Sequence, residues 1–263
     1  MKTTGYSSLF LHIAVTFLAI SFFPGVANTR GDLIFADSFA YPEGVLAGDG
    51  PPPGSPPGQG GWTVSNGSPR VAKTGLRFPG IYWVGRSTIV NSPAHTNGDK
   101  AVAELLPVTA ANDGVVWVGF LVSKTHGALV THGYAVVSLG NDATGPSLGI
   151  GMLFEENLYG LDNNTGENGS RSATNLEPSE ETVWMVTKVD FINAKEVLWV
   201  NPAPGAEPDV ADAAAHLPMT AEFLSSGFSE IVLKIGYTKG IFHFDEVRVG
   251  TAFADVVSPS IIP

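Results

Sequence analysis

The spacing of the acidic residues is the feature of this sequence that bears most directly on catalysis. Retaining glycosidases hold two carboxyl groups about 5–5.5 Å apart. Two residues of one strand reach the same face only when one residue separates them. The acidic pairs found here are adjacent instead, so the members of each pair are expected to point to opposite faces: Glu155–Glu156, Glu180–Glu181 and Asp245–Glu246. This spacing predicts a protein without a paired-carboxylate catalytic site.

Aromatic side chains offer a second kind of chemistry, because their rings stack on the faces of sugars while neighbouring polar groups bond the hydroxyls. Trp117 lies in a segment that is apolar on both sides, and we expect its ring to be buried. For the pair Trp184 and Trp199 two alternatives stay open, packing under a loop or facing a groove. The candidate ligand-binding residues are Trp62, Tyr82, Trp83, Trp184 and Trp199.

Composition excludes several functional classes. The 263 residues include no cysteine, which rules out disulfide scaffolds, zinc ribbons and thiol enzymes. The formal net charge is −11, and the 14 Lys and Arg residues are scattered singly. Nucleic acid is therefore not an expected partner, because contacts to phosphates require clustered cations.

The first 27 residues have the order of a secretory signal peptide. Lys2 precedes an apolar run over residues 9–23, and the small residues Gly25 to Ala27 follow Pro24. The run is shorter than the roughly 20 residues that a membrane span requires. We therefore predict cleavage near Ala27, secretion to the cell envelope or medium, and no membrane attachment of the mature chain.

The remaining residues, 28–263, predict a single all-β domain, because their apolar residues alternate with period two and the strand-like segments are separated by Gly, Pro, Asn and Asp. Val115–Val122 is expected to be a central strand. Tyr134–Leu139 and Leu148–Phe154 follow it, and the three are expected to form a meander.

Later segments predict a hairpin and two closing strands. Thr182–Phe191 and Glu196–Asn201 are expected to pair across a short turn, and Glu230–Gly236 and Ile241–Gly250 are expected to close the domain. Residues 203–226 are interpreted as a long loop with at most one helical turn, since Pro218 interrupts the only helix-like stretch.

Several segments resemble secreted bacterial proteins with a concanavalin A-like lectin/glucanase jelly roll, close to the laminin G-like group. The resemblance rests on LIFADSFAYPEGVLAG (33–48), GQGGW (58–62), VLWVNP (197–202) and IFHFDEVRVGTAFADV (241–256). It implies two stacked antiparallel sheets with the first and last strands adjacent. It fixes no activity, since this fold hosts lectins, carbohydrate-binding modules, hydrolases and lyases.

The same resemblance implies a structural calcium ion that clips the first strand to the last, with Asp37 and Asp245 as its ligands. Calcium prefers the oxygen ligands that carboxylates and backbone carbonyls supply. The alternative is that Asp37 bonds the turn that follows it and that Asp245 pairs with a basic neighbour such as Arg248.

Taken together, the sequence predicts a secreted, non-catalytic lectin-like module that binds a glycan or polysaccharide. One alternative is a polysaccharide-active enzyme of the same fold that uses Glu155, Glu156 or Asp190. The other is a structural or adhesive surface protein without a small ligand.

Overall fold

The computed structural model describes residues 31–46, 61–81, 85–91, 97–125, 127, 133–141, 145–163, 169–237 and 240–257. The predicted signal peptide, residues 1–27, and nearly all of a Pro/Gly-rich segment, residues 48–61, lie outside this part of the chain. Among the described residues, neither helix has the length and hydropathy needed to cross a bilayer.

Strands account for almost all of the regular structure. The first eight are β1 (Leu33–Asp37), β2 (Gly44–Val45), β3 (Thr63–Asn66), β4 (Arg70–Val71), β5 (Thr88–Asn91), β6 (Asn97–Val108), β7 (Val115–Thr125) and β8 (Tyr134–Gly140). The others are β9 (Leu148–Met152), β10 (Tyr159–Asp162), β11 (Arg171–Ala173), β12 (Val183–Asp190), β13 (Lys195–Val200), β14 (Ala215–Pro218), β15 (Phe228–Gly236) and β16 (Ile241–Gly250). Helix α1 spans Ala221–Ser226 and helix α2 spans Phe253–Val257.

The strands form two antiparallel sheets that pack as a sandwich, which confirms the predicted all-β, two-sheet jelly-roll class. The first sheet has the order β14-β13-β12-β7-β16-β5-β4-β2, with β1 also paired to β16. The second sheet has the order β11-β10-β9-β8-β15-β6-β3. The first and last strands are therefore adjacent, as the resemblance implies.

Strand β16 pairs with one strand before a bulge and with another strand after it. Residues 241–244 pair with β5 and residues 247–250 pair with β1, so these two strands lie end to end along β16. The register shifts between Asp245 and Arg248, and Glu246 has a φ of 49°. Such a bulge bends the strand and re-aims its side chains, and it places the two acidic residues at the point where β16 changes partner.

The core lies between the two sheets. Because successive side chains of a strand point to opposite faces, one face of every long strand contributes to this core. On β12, Val183, Met185 and Val189 belong to this core, together with Phe191 beyond the strand end, as the sequence pattern predicts. Trp184 faces the other way. The predicted hairpin of β12 and β13 is confirmed by a continuous register from Met185–Val200 to Asp190–Lys195.

A second apolar cluster covers the outer face of the first sheet. Trp117, Trp184 and Trp199 lie on this face, and Phe253 and Val256 of α2 pack over them. The ring of Trp117 stacks on Trp199 with centroids 5.5 Å apart and contacts Phe253 edge-on at 5.3 Å. The first sheet is therefore covered by protein on both faces.

Two sequence-based expectations about connectivity are wrong. The predicted meander does not form, because β7 belongs to the first sheet while β8 and β9 pair in the second. Residues 203–226 also hold more than a loop and one turn, because β14 pairs with β13 at the sheet edge. Periodicity identifies a strand and its faces, but not the sheet in which the strand pairs.

Glu196 is an isolated carboxyl group inside this sandwich. It faces the core from β13, directly opposite Val189 on one side and Leu217 on the other. The side chain is fully buried, and neither carboxyl oxygen has a hydrogen-bond partner among the described residues. Burial raises the pKa of Glu196 from 4.5 to about 8.

Replacing Glu196 with Gln is expected to weaken the dependence of folding stability on pH. Because the raised pKa lets the folded state bind one more proton than the unfolded state, the wild-type protein loses stability as pH rises from 4.5 towards 8. The loss is at most about 1.4 kcal/mol per pH unit. Urea denaturation between pH 5 and pH 8 measures it. A stability difference between E196Q and wild type that stays constant with pH contradicts this assignment, and E180Q, at an exposed position, is the control.

Candidate functional site

Three of the five predicted ligand-binding residues lie in the protein interior. Trp62, Trp184 and Trp199 are only 4%, 1% and 2% exposed. Trp184 and Trp199 pack in the apolar cluster on the outer face of the first sheet. Of the two alternatives stated above, packing therefore applies to both residues and facing a groove does not. A ring enclosed by protein does not stack on a sugar, so these three tryptophans are not ligand platforms. Tyr82 and Trp83 lie outside the described residues.

Asp37 connects β1 to the segments that follow it. Its Oδ1 accepts a hydrogen bond from the Phe39 backbone N–H at 2.7 Å. Its Oδ2 accepts from the Tyr41 hydroxyl and from Trp62 Nε1, both at 2.6 Å. The carboxylate is buried and bonds the following turn, which is the alternative considered for Asp37 in the sequence.

Asp245 lies at the bulge of β16 and is also buried. Its carboxylate accepts from the backbone N–H groups of Leu76 and Glu246 at 2.7 and 2.8 Å. Burial, followed by the charges of Glu246 and Asp37, raises the pKa of Asp245 to about 8. The ion pair of Arg248 is with Glu246, at 2.9 Å.

The surroundings of Asp245 supply oxygen donors of the kind that calcium prefers. Asp245 Oδ2 and the Gly85 carbonyl oxygen each lie 2.8 Å from the position that a Cβ on Gly75 would take. Asp37 is on the adjacent strand, although three donors already occupy its oxygens. Within the described part of the chain, no three acidic or histidine side chains form a group that could hold a metal. A calcium ion here would therefore depend on backbone carbonyls as well as on Asp245 and Asp37.

The outer face of the second sheet differs from that of the first, because charged side chains occupy it. Lys100 of β6 lies directly opposite Lys234 of β15, and Glu104 lies directly opposite Glu230. Like charges that face one another across strands are unfavourable for the fold. Burial, reinforced by Lys100 and opposed by Asp162, lowers the pKa of Lys234 to about 8. This perturbed lysine on a polar sheet face marks a candidate binding site.

Glycines form a low strip beside the lysine pair. Alternation places Gly149 and Gly151 of β9 and Gly160 of β10 on the outer face, since their neighbours Leu148, Ile150 and Leu161 belong to the core. Gly151 lies between Val136 and Gly160. All three glycines are buried, and the Leu153 side chain lies 2.7 Å from the position that a Cβ on Gly160 would take. We call this strip the glycine trough.

The Asp162–Arg171 pair borders the far side of the glycine trough. Arg171 Nε donates to Asp162 Oδ2 at 3.3 Å, and Arg171 Nη1 lies 3.6 Å from Glu155 Oε2. The guanidinium also lies 5.4 Å from the centroid of the Phe154 ring. Hydrogen-bonding groups of both signs thus flank the row of glycines.

Three aromatic rings lie at one end of the glycine trough. Tyr134, Phe154 and Tyr237 are partly exposed, and their ring centroids are 6.4 to 6.5 Å apart. A Cβ on Gly236 would lie 2.6 Å from the Tyr134 ring, so the glycine allows that ring to lie against the sheet. We call these three residues the aromatic trio. The sequence analysis missed them, and the available signal was a strand-end or strand-start position for each ring.

The acidic residues proposed for catalysis do not converge. Glu155 pairs with Arg171 on the second sheet, whereas Asp190 accepts two hydrogen bonds from Asn193 in the β12–β13 turn of the first sheet. Ser87 Oγ lies 3.1 Å from His243 Nδ1, but Ser87 is fully buried and donates to the Thr74 carbonyl. The acidic residues proposed from the sequence are thus dispersed, and Ser87 is enclosed.

A serine motif resembling a hydrolase nucleophile elbow also lacks the required structure. Residues 145–149, Gly-Pro-Ser-Leu-Gly, match the Gly-x-Ser-x-Gly pattern. That motif requires a sharp turn from a strand into a helix. Here the segment leads from a turn into β9, and Ser147 is buried. The match is therefore coincidental.

Comparisons with known proteins identify no family. No protein-family model matches the sequence, and no curated protein matches it. Among solved structures, the binding domain of botulinum neurotoxin DC in complex with SialylT is 13% identical, with 73% of this chain and 43% of that chain covered and a TM-score of 0.45. The botulinum neurotoxin serotype D/C VPI 5993 binding domain is 12% identical over 74% of this chain and 45% of that chain, with a TM-score of 0.47.

The chain spans less than half the length of the solved structures that it matches. Similarity of this degree assigns neither a family nor a function. The candidate site therefore rests on the geometry of the second sheet alone.

Replacing Asp37 with Asn is expected to destabilise the fold by about 2–4 kcal/mol, since hydrogen bonds to charged groups contribute most when buried. Trp62 Nε1 and the Tyr41 hydroxyl then compete for a neutral acceptor. Urea denaturation followed by tryptophan fluorescence measures the loss. D212N, at an exposed position, is expected to behave as wild type. Equal stabilities for D37N and D212N would show that Asp37 does not hold this junction together.

Proposed function

We propose that this protein is a secreted, non-catalytic carbohydrate-binding module with a concanavalin A-like jelly roll, and that it binds glycan on the outer face of the second sheet. The observation that carries the proposal is the aromatic trio beside charged side chains on a sheet face. Rings supply stacking surfaces, and charged groups bond sugar hydroxyls around them. The sheet makes the platform rigid before the ligand arrives, which lowers the cost of binding.

The difference between the two sheets supports this location. Aromatic residues on the first sheet pack beneath α2 and stabilise the fold. Those on the second sheet remain partly exposed, next to Lys234 and Arg171. In this proposal the glycan stacks on the aromatic trio and extends towards Lys234 and Arg171. In this proposal the export signal at residues 1–27 delivers the module to the extracellular side.

Replacing Phe154 with Ala is expected to weaken glycan binding by about 3- to 10-fold, the equivalent of one aromatic contact. Wild-type protein is first screened on a glycan array, and the best ligand is titrated by calorimetry. I192A removes an exposed apolar side chain from the first sheet and is expected to bind as wild type. The proposal fails if the wild-type protein retains no glycan, or if F154A and I192A bind equally well.

A polysaccharide hydrolase is the second candidate, and one observation favours it. Glu104 and Glu230 are directly opposite on adjacent strands of the same sheet face. Residues so paired have Cβ atoms about 4.5–5.5 Å apart, so their flexible side chains can bring the carboxyl groups to the separation of about 5–5.5 Å that retaining glycosidases use. Release of reducing ends by wild-type protein, abolished in E104Q and E230Q, would replace the binding module with an enzyme.

We also propose that calcium clips β1 to β16, with Asp245, Asp37 and the Gly85 carbonyl among its ligands. Calcium is then expected to raise the Tm of the wild-type protein relative to the same protein in EGTA. Because binding to the folded state stabilises it, the shift should disappear in D245N. Magnesium is the control, since it demands a smaller octahedral site. Equal melting temperatures in calcium and EGTA reject the ion.

A further inference from the structure

A cleft on the other side of the molecule gathers basic side chains. Its volume is about 740 Å³, and it is lined by residues 40–42, 73–75, 77 and 85–86. Lys73, Arg77 and Arg86 all belong to this lining. The cleft lies beside β1, β4 and β5 of the first sheet and shares no lining residue with the glycine trough.

The charge of the cleft is opposite to that of the chain. The whole sequence has a net charge of −11 with 25 acidic residues, yet none of the described residues that line the cleft is acidic. Within the described residues, neither Lys73 nor Arg86 forms an ion pair. Cations that line a concave surface focus positive potential there.

The cation-bearing segments are held in place by hydrogen bonds to neighbouring segments. The backbone N–H of Arg86 donates to the Ser38 carbonyl at 3.0 Å, and Ser87 Oγ donates to the Thr74 carbonyl at 3.0 Å. The Leu76 N–H donates to Asp245. A Cβ on Gly85 would overlap the Ser38 carbonyl, so this glycine is required for the close approach of the two segments. The cleft is therefore formed before any ligand binds.

We propose that this cleft binds the carboxylate or sulfate group of an anionic ligand, with Lys73, Arg77 and Arg86 as the binding residues. Guanidinium groups match the planar oxygen pairs of carboxylates and the oxygens of sulfate, and Lys73 adds a mobile positive charge. The volume is in the range of small-molecule sites, about 300–1,000 Å³. The ligand therefore extends beyond the anionic group, as a uronate or a sulfated sugar does. The cleft does not depend on the glycan site proposed above.

The test is calorimetric titration of full-length mature protein at low salt with four probes. They are a sulfated tetrasaccharide, a polygalacturonate tetrasaccharide, the neutral cellotetraose and sodium sulfate. At least one anionic probe is expected to bind at least tenfold more tightly than cellotetraose, with an affinity that falls as salt rises. Equally tight binding of sodium sulfate assigns the site to the anion itself, and weaker binding assigns it to the sugar that bears the anion.

Variants of the lining residues show whether the anionic probe binds in the cleft. K73E and R86Q are each expected to weaken binding of the anionic probe at least tenfold. R70Q removes an exposed arginine of β4 that does not line the cleft and is the matched control. Lys73 is exposed, so K73E tests the cleft without disturbing the interior. I192A, which belongs neither to the aromatic trio nor to the cleft lining, is expected to bind the anionic probe as the wild-type protein does.

Two results overturn the proposal. One is that no anionic probe binds more tightly than cellotetraose. The other is that K73E and R86Q bind as R70Q does while changing only the melting temperature. In that second case the three cations merely balance the acidic residues Asp37 and Asp245 behind the cleft wall.

Discussion

The structure depends on what covers the outer face of each of its two sheets. A sandwich places one face of each sheet in the common core, and the opposite faces need a cover or a polar surface. The first sheet is covered by protein, because α2 packs over three tryptophans on its outer face. The second sheet carries charged side chains and partly exposed rings there. The outer face of the second sheet therefore combines charged groups with partly exposed rings, whereas on the first sheet the three tryptophans are covered by α2.

Alternation in the sequence predicted the class and most strands because hydrophobic burial imposes it directly. The two faces of β12 and its hairpin with β13 follow from local pattern alone. The division of β7 from β8 and β9 does not, because sheet membership is decided by pairing with distant strands such as β12, β15 and β16. Strand β14 was missed since its pairing depends on β13 rather than on its own short sequence.

The candidate site was harder to predict for a related reason. Large rings stabilise a fold most when they are buried. The three tryptophans of the first sheet accordingly pack in the apolar cluster on its outer face. The aromatic trio comes from three separate strand ends that meet only in the folded molecule. The adjacency of Asp37 and Asp245 was better anticipated, because pairing of the first and last strands fixes it. The hydrogen bonds that occupy Asp37 depend on Tyr41 and Trp62 and required coordinates.

The pairing of β1 with β16 also governs when the molecule can form. The Asp32 backbone N–H donates to Thr251, 219 positions later in the chain. Contacts of such long range are made late, since the intervening loop must first be ordered. Within the described residues, β1 is paired only with β16, and β16 also pairs with β5. A chain cut before residue 241 therefore loses the strand against which both of these earlier strands align.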